Sequence, residues 1–284
     1  MRLDEPLVDV IMDSKCPYKD SKQVLQDLKR AIENRVGLLF LLSCKEVCRK
    51  IWSQELEDSL NRMLSEYHSW MTSVRNLLTK LSGTGARFLV IKNAPYPHIS
   101  FDVDFVFPSV EDFENVRPIL VSSPVRADPH VAGLREYKAL TVVISAEKLW
   151  KERRRTTIYG AEVWTASPEH SLLIHALHAF KHREVYLGDL LSMKEIIRQL
   201  DKERAVDKAR EIGGTLILAY LDNILSTILG ECVGVTLPFP LRNIVQIYTE
   251  RSLAAGYLPL KIPRGMVVLA GLRLKVPLRI RDPV

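Results

Sequence analysis

Hydrophobic positions change period once along the chain, and that change divides it. Between residues 21 and 81 apolar side chains recur at three- and four-residue intervals. Val24, Leu25, Leu28, Ile32 and Val36 form one stripe, and Leu56, Leu60, Met63, Leu64, Tyr67, Met71, Val74, Leu77 and Leu78 form a longer one. This spacing predicts amphipathic helices. No proline interrupts the span, Gly37 is its only glycine, and Gly83 and Gly85 then break it.

Beyond that break the period falls to two. Residues 87–92 predict a buried strand and 99–107 a second, with Pro95, Pro97 and Pro108 as punctuation. A short helix is expected over 109–120, with Ser109 as its cap and Glu111 and Asp112 in its first turn. Residues 134–145 predict a third strand, and 157–165 a hairpin-like stretch. Ser167-Pro168-Glu169 opens the next helix, with serine as cap and proline at the first helical position. Helices are expected onward to about residue 257, with breaks at Gly188, at Gly213-Gly214 and between Pro238 and Pro240. The expected architecture is α/β (α+β): a helical region over 1–82, a mixed-sheet core over 83–166, a helical lobe over 167–260 and a basic tail over 261–284.

Bulk composition changes this picture little. With 284 residues, 47% hydrophobic and 26% charged, the chain has the makings of a packed core rather than a disordered segment. The formal charge of +6 permits phosphate-bearing partners without demanding them. The excess is uneven, with one cluster at Lys151, Arg153, Arg154 and Arg155 and another at Lys261, Arg264, Arg273, Lys275, Arg279 and Arg281. The first cluster is most simply a solvated turn. Its functional alternative is a contact to a nucleic-acid backbone, without aromatic or RNP-like support for sequence readout. Apolar stretches all fall short of the roughly 20 residues of a membrane span, and the first residues are not those of a signal peptide. A cytoplasmic protein without a membrane partner is the expectation. Four cysteines make no disulfide framework in a chain of this size. Cys44 and Cys48, at i and i+4, read as small core residues rather than half of a metal site.

The chemistry concentrates in Phe101-Asp102-Val103-Asp104-Phe105. On a strand, Asp102 and Asp104 project from one face while Phe101, Val103 and Phe105 face the other. Two carboxylates side by side in an apolar strand repel each other and resist desolvation. A divalent cation removes that cost, and Mg²⁺ completes its shell with substrate phosphates and water. An exposed edge strand with two solvated aspartates is the plainer alternative.

Two motifs in order raise the first reading. The chain has Ile91-Lys92-Asn93 upstream of Asp102-Val103-Asp104-Phe105-Val106-Phe107, and later Ala166-Ser167-Pro168-Glu169-His170-Ser171-Leu172-Leu173, His178, Lys181-His182 and Asp189. Over roughly residues 87–214 it resembles an uncharacterised nucleotidyltransferase family of the DNA polymerase beta-like nucleotidyltransferase superfamily. The resemblance implies that Asp102 and Asp104 bind Mg²⁺ (or Mn²⁺) and that Lys92 steadies the triphosphate of an NTP. It also implies that Asn93 lies in the phosphate-approaching turn, and that Lys181 and His182 contact phosphate or anchor the helix. Asp189 would orient His182 or cap the following helix.

Three departures bear on activity. Asn93 stands where the family has glycine, whose backbone takes φ > 0 freely. Tyr96, His98 and Ser100 stand where a basic residue usually precedes the carboxylate strand. Two-metal transfer takes a third carboxylate from a neighbouring strand, and Thr141, Val143 and Ser145 of the expected third strand supply none. Glu136 is the nearby replacement. His175, His178 and His182 share one side of the following helix, and a His178–His182 metal pair is weaker than a packing role because no H-E-x-x-H glutamate accompanies it.

The expected function is transfer of a nucleoside monophosphate from NTP to a hydroxyl acceptor, with Asp102, Asp104 and Glu136 as catalytic acids. The alternative is a catalytically degenerate module that binds nucleotide, nucleic acid or a protein partner. A helical scaffold using the N-terminal region and basic tail is a third reading.

Overall fold

A computed structural model of the chain describes residues 6–100, 102–235, 237–255 and 257–272. Four tail cations, Arg273, Lys275, Arg279 and Arg281, lie outside the described residues, as does Phe101.

The N-terminal third is helical. α1 (Pro6–Asp13), α2 (Ser21–Glu33), α3 (Gly37–Val47) and the long α4 (Gln54–Ser82) follow one another, with a 3-10 turn at Arg49–Ile51. The helical span expected over 21–81 is therefore divided among three helices, with the two apolar stripes on α2 and α4. Side chains set the starts: Asp20 accepts from the Gln23 amide and Ser53 from the Leu56 amide. Cys16 and Cys48 are joined by a disulfide, Cα to Cα 5.2 Å, which corrects the reading of Cys48 as simply a small core residue. Cys44 is a buried free thiol, pushed up to about 12 by burial and the charge of Asp27. It is a core residue and no part of a metal pair.

The middle third holds a five-stranded mixed sheet. Its strands are β1 (Leu89–Ile91), β2 (Val103–Phe107), β3 (Ala127–Val131), β6 (Arg154–Ile158) and β7 (Ala161–Thr165), in the order β3-β2-β1-β7-β6. β2 runs antiparallel to β1 and parallel to β3. Between β2 and β3 lies α5 (Val110–Ser122), capped by Ser109 as expected. A separate two-stranded hairpin, β4 (Tyr137–Ala139) and β5 (Val142–Ile144), precedes α6 (Ala146–Lys151).

This corrects the expected third strand. Residues 134–145 fold back on themselves at Leu140, whose φ is 55°, and β4 and β5 pair with each other, while Arg135 makes an isolated antiparallel bridge to Val131 at the end of β3. β3 takes the place beside β2. Its Pro129 hid it, because proline lacks the N–H a central strand must donate. β3 is an edge strand, where that loss is tolerated.

The C-terminal part is again mostly helical. α7 (Pro168–His182) is capped by Ser167, with Pro168 in its first turn. After β8 (Glu184–Val185) come α8 (Leu187–Ile197), α9 (Lys202–Ile212), α10 (Thr215–Leu229) and α11 (Leu241–Ala254). β9 (Leu260–Lys261) pairs with β8, and α12 (Arg264–Gly271) ends the described chain. Among the described residues no helix is long and apolar enough to cross a membrane.

The alternation of β1 and β2 sorts two cores. Val90, Val103, Phe105 and Phe107 pack with Val74, Leu77, Leu78 and Leu81 of α4 and with Val116 and Leu120 of α5. Leu89, Ile91 and Val106 face the other way, into the core built with α7, α8, α10 and the β4–β5 hairpin. Asp104 is two residues from Val106, so it emerges on the α7 side. That face carries the site.

Candidate metal and nucleotide site

Asp104 is the second residue of β2, with 6% of its surface exposed. Asp102, immediately before β2, lines the same cavity of about 260 Å³. Both carboxylates border that cavity, as the strand alternation requires. Burial pushes the Asp102 carboxyl above its usual range, and the charges of Asp104 and Asp128 push the same way. Burial also opposes ionisation of Asp104, but His130 and Lys92 outweigh it and hold that carboxyl below the usual range.

The parallel pairing of β2 with β3 supplies what the sequence had not located. Asp104 stands opposite Asp128, and Val106 opposite His130. Asp128 and His130, at i and i+2, thus point to the face that carries Asp104. Donor atoms of Asp104, Asp128 and His130 all lie within 4.8 Å of one another, a group that can hold a metal ion. Arg135 pairs with Asp128 Oδ1 at 2.8 Å.

Glu136 does not fill that role. Its Oε1 accepts from the Gly133 amide at 3.2 Å and its Oε2 from the Ala146 amide at 2.7 Å, so it braces the β4–β5 hairpin. Asp128 is the third carboxylate beside the pair. The signal was present in Ala127-Asp128-Pro129-His130-Val131, where two ligand-type side chains alternate with apolar ones, but the proline argued against a strand.

Lys92 follows β1 directly. Its φ of 59° turns the chain at that point, so the left-handed residue is the lysine and not Asn93, the position where the family's glycine would stand. Asn93 is exposed and borders a depression shared with Asp102 and Asp104. The Lys92 ammonium lies 2.7 Å from Asp104 Oδ1 and 3.2 Å from His178 Nδ1.

Across the cavity, Arg35 from the α2–α3 turn ion-pairs with Asp189 of α8 at 3.3 Å and lies 3.3 Å from His178 Nε2. Its guanidinium stacks on Tyr186, 4.0 Å from the ring centre. Gly188 allows this approach, because its amide donates to the Asn34 carbonyl and a Cβ there would meet the Tyr96 hydroxyl. Burial pushes the Asp189 carboxyl up, against Arg35 and Lys92. His178 lies between two cations. Burial first, then Lys92 and Arg35, holds its imidazole neutral and well below its usual pKa. His175, also facing this cavity, is pushed down to about 3, by burial and then Lys92.

Asp189 therefore pairs with the N-terminal region through Arg35. Lys181 and His182 are exposed at the end of α7 and neither lines the carboxylate cavity. The His182 ring packs against His178 with centroids 4.4 Å apart, which leaves it one turn beyond the site.

Chemically the arrangement brings carboxylates, imidazoles and two cationic side chains together on the α7 side of the sheet. Comparison with family models, curated proteins and solved structures finds no match to this chain.

Proposed function

We propose that this chain transfers a nucleoside monophosphate from an NTP to a hydroxyl acceptor, using a divalent cation, Mg²⁺ or Mn²⁺, held by Asp102, Asp104 and Asp128. The observation that carries the reading is the in-register placement of Asp128 opposite Asp104, with Asp102 on the same face. The residues fit such an ion. Asp104 is nearly buried, its donor atom lies within 4.8 Å of those of Asp128 and His130, and a carboxylate-rich set suits a cation that shares its shell with phosphate oxygens.

A cation bound there would offset the charge of the triphosphate where it is attacked. The chain's own groups do the rest. Lys92 and Arg35 both line the cavity with positive charge and steady the phosphates, Lys92 as a point charge and Arg35 as a planar fork. Asp128, with 20% of its side chain exposed, faces the acceptor and takes its proton. The acceptor oxygen forms a bond to the α-phosphorus as the bond to the bridging oxygen breaks, and pyrophosphate leaves with that electron pair. Positioning and charge neutralisation supply most of the rate in such chemistry.

The test is thermal unfolding with each NTP in the presence of Mg²⁺ or Mn²⁺, combined with pyrophosphate release. A metal-dependent rise in Tm that disappears in Asp102→Ala and Asp128→Asn, with pyrophosphate released only by wild type, is the expected result. An NTP shift that survives both substitutions overturns the reading. A metal-dependent shift without any pyrophosphate release favours the degenerate, nucleotide-binding alternative.

A further inference from the structure

We propose that His130 is itself a metal ligand, so that Asp104, Asp128 and His130 form a nitrogen-bearing site that prefers first-row transition ions, Mn²⁺ among them, to Mg²⁺. The inference rests on the metal-dependent reading above and deepens it, by naming the class of cation the same site selects.

His130 is 3% exposed, and neither ring nitrogen has a hydrogen-bond partner among the described residues. Buried polar atoms are nearly always paired, so a buried imidazole with both nitrogens open asks for an explanation. Its Nε2 is equidistant from two carboxylate oxygens, 3.6 Å from Asp104 Oδ1 and 3.6 Å from Asp128 Oδ2. That separation exceeds the roughly 2.7–3.2 Å of an N–H···O bond. It matches donors that share an ion. Two atoms each about 2.1 Å from one cation lie about 3 Å apart at a right angle and about 4.2 Å apart when opposed.

The ring is held in place for that role. Tyr137 packs edge-on against it with centroids 4.9 Å apart, and the Tyr137 hydroxyl donates to the Ile174 carbonyl. Arg135 occupies Asp128 Oδ1 and leaves Oδ2 toward the imidazole. Lys92 shares Asp104 Oδ1, so a cation bound to that oxygen competes with the ammonium. Imidazole nitrogen suits transition ions, whereas Mg²⁺ takes oxygen ligands almost exclusively.

Full-length protein is titrated with Mn²⁺ and with Mg²⁺, and the Mn²⁺ form is examined by electron spin-echo envelope modulation. Wild type is expected to bind Mn²⁺ more tightly than Mg²⁺ and to show ¹⁴N modulation from a coordinated imidazole. That modulation is expected to vanish in His130→Asn and persist in His178→Asn. His130→Asn is expected to lose at least about tenfold in Mn²⁺ affinity, the scale on which even outer-shell partners act. Should His130→Asn fail to fold, wild type grown with ¹⁵N-histidine converts the ¹⁴N signal to ¹⁵N if an imidazole is bound. Mn²⁺ bound without nitrogen modulation, or modulation that survives His130→Asn, overturns the inference and leaves the carboxylate site standing. Failure of wild type to bind either ion overturns both.

Discussion

Asp128 lies directly across the parallel β2–β3 pairing from Asp104, and this one relationship sets a further carboxylate, with His130 two residues on, beside the D-x-D strand. It depends on register alone. A slip of one residue would send Asp128 and His130 to the face packed on α4 and α5, and Pro129 to the cavity. With the register as found, repulsion among the acids is offset on the protein side by Lys92 and Arg135.

Asp102 has the least compensation of the three. Its carboxyl is pushed up by burial and by Asp104 and Asp128, so its ionised form opposes folding at neutral pH. Asp102→Asn is therefore expected to raise Tm in the presence of a chelator while shrinking the rise produced by Mn²⁺ and NTP. Scanning calorimetry under both conditions reads the two signs, and a lower Tm in chelator would refute the argument.

Glu136 braces backbone and does not face the carboxylate cluster. Glu136→Ala should cost about 1–3 kcal/mol of stability, chiefly by leaving the amide of buried Ala146 unpaired, since the Gly133 amide is exposed to water. Metal-dependent stabilisation by nucleotide should stay at the wild-type value. Loss of that stabilisation in a folded variant would return Glu136 to the site.

Gly188 joins the N-terminal region to the cavity. A Cβ there meets the Tyr96 hydroxyl and comes within 3.1 Å of the Asn34 carbonyl oxygen. Gly188→Ala is expected to cost about 1–3 kcal/mol, as overpacking does, and to weaken nucleotide binding by shifting Arg35. Urea unfolding and nucleotide titration measure the two effects, and a neutral substitution would show that the α2–α3 turn does not need this close approach.

Two buried histidines set an acid limit. Burial is the first cause that pushes His175 down to about 3 and His170 down to about 4. Both are neutral in the fold but bind a proton in the unfolded chain below about 6.5. Stability is thus complete above that pH and lost as pH falls from about 6.5 toward 4, by up to about 1.4 kcal/mol per pH unit for each histidine. Urea unfolding between pH 7.5 and 5 checks the slope, and His175→Gln should reduce it by one proton. A flat profile would mean that neither ring is neutral.

The local pattern of the chain determined its elements where one physical rule acted alone. The three-to-four-residue stripes became α2 and α4, Ser109 and Ser167 capped the helices they precede, and alternation placed Asp102 and Asp104 on a common side. Those outcomes follow from backbone geometry over a few residues. Tertiary structure decided which strand lies beside β2, because strand pairing is set by contacts far apart in sequence. Pro129 weakened the local signal of β3, and only its position at the sheet edge made that proline harmless. Arg35 and Asp189, 154 positions apart, meet only through the packing of the α2–α3 turn on α8. No periodicity in the chain encodes such a contact.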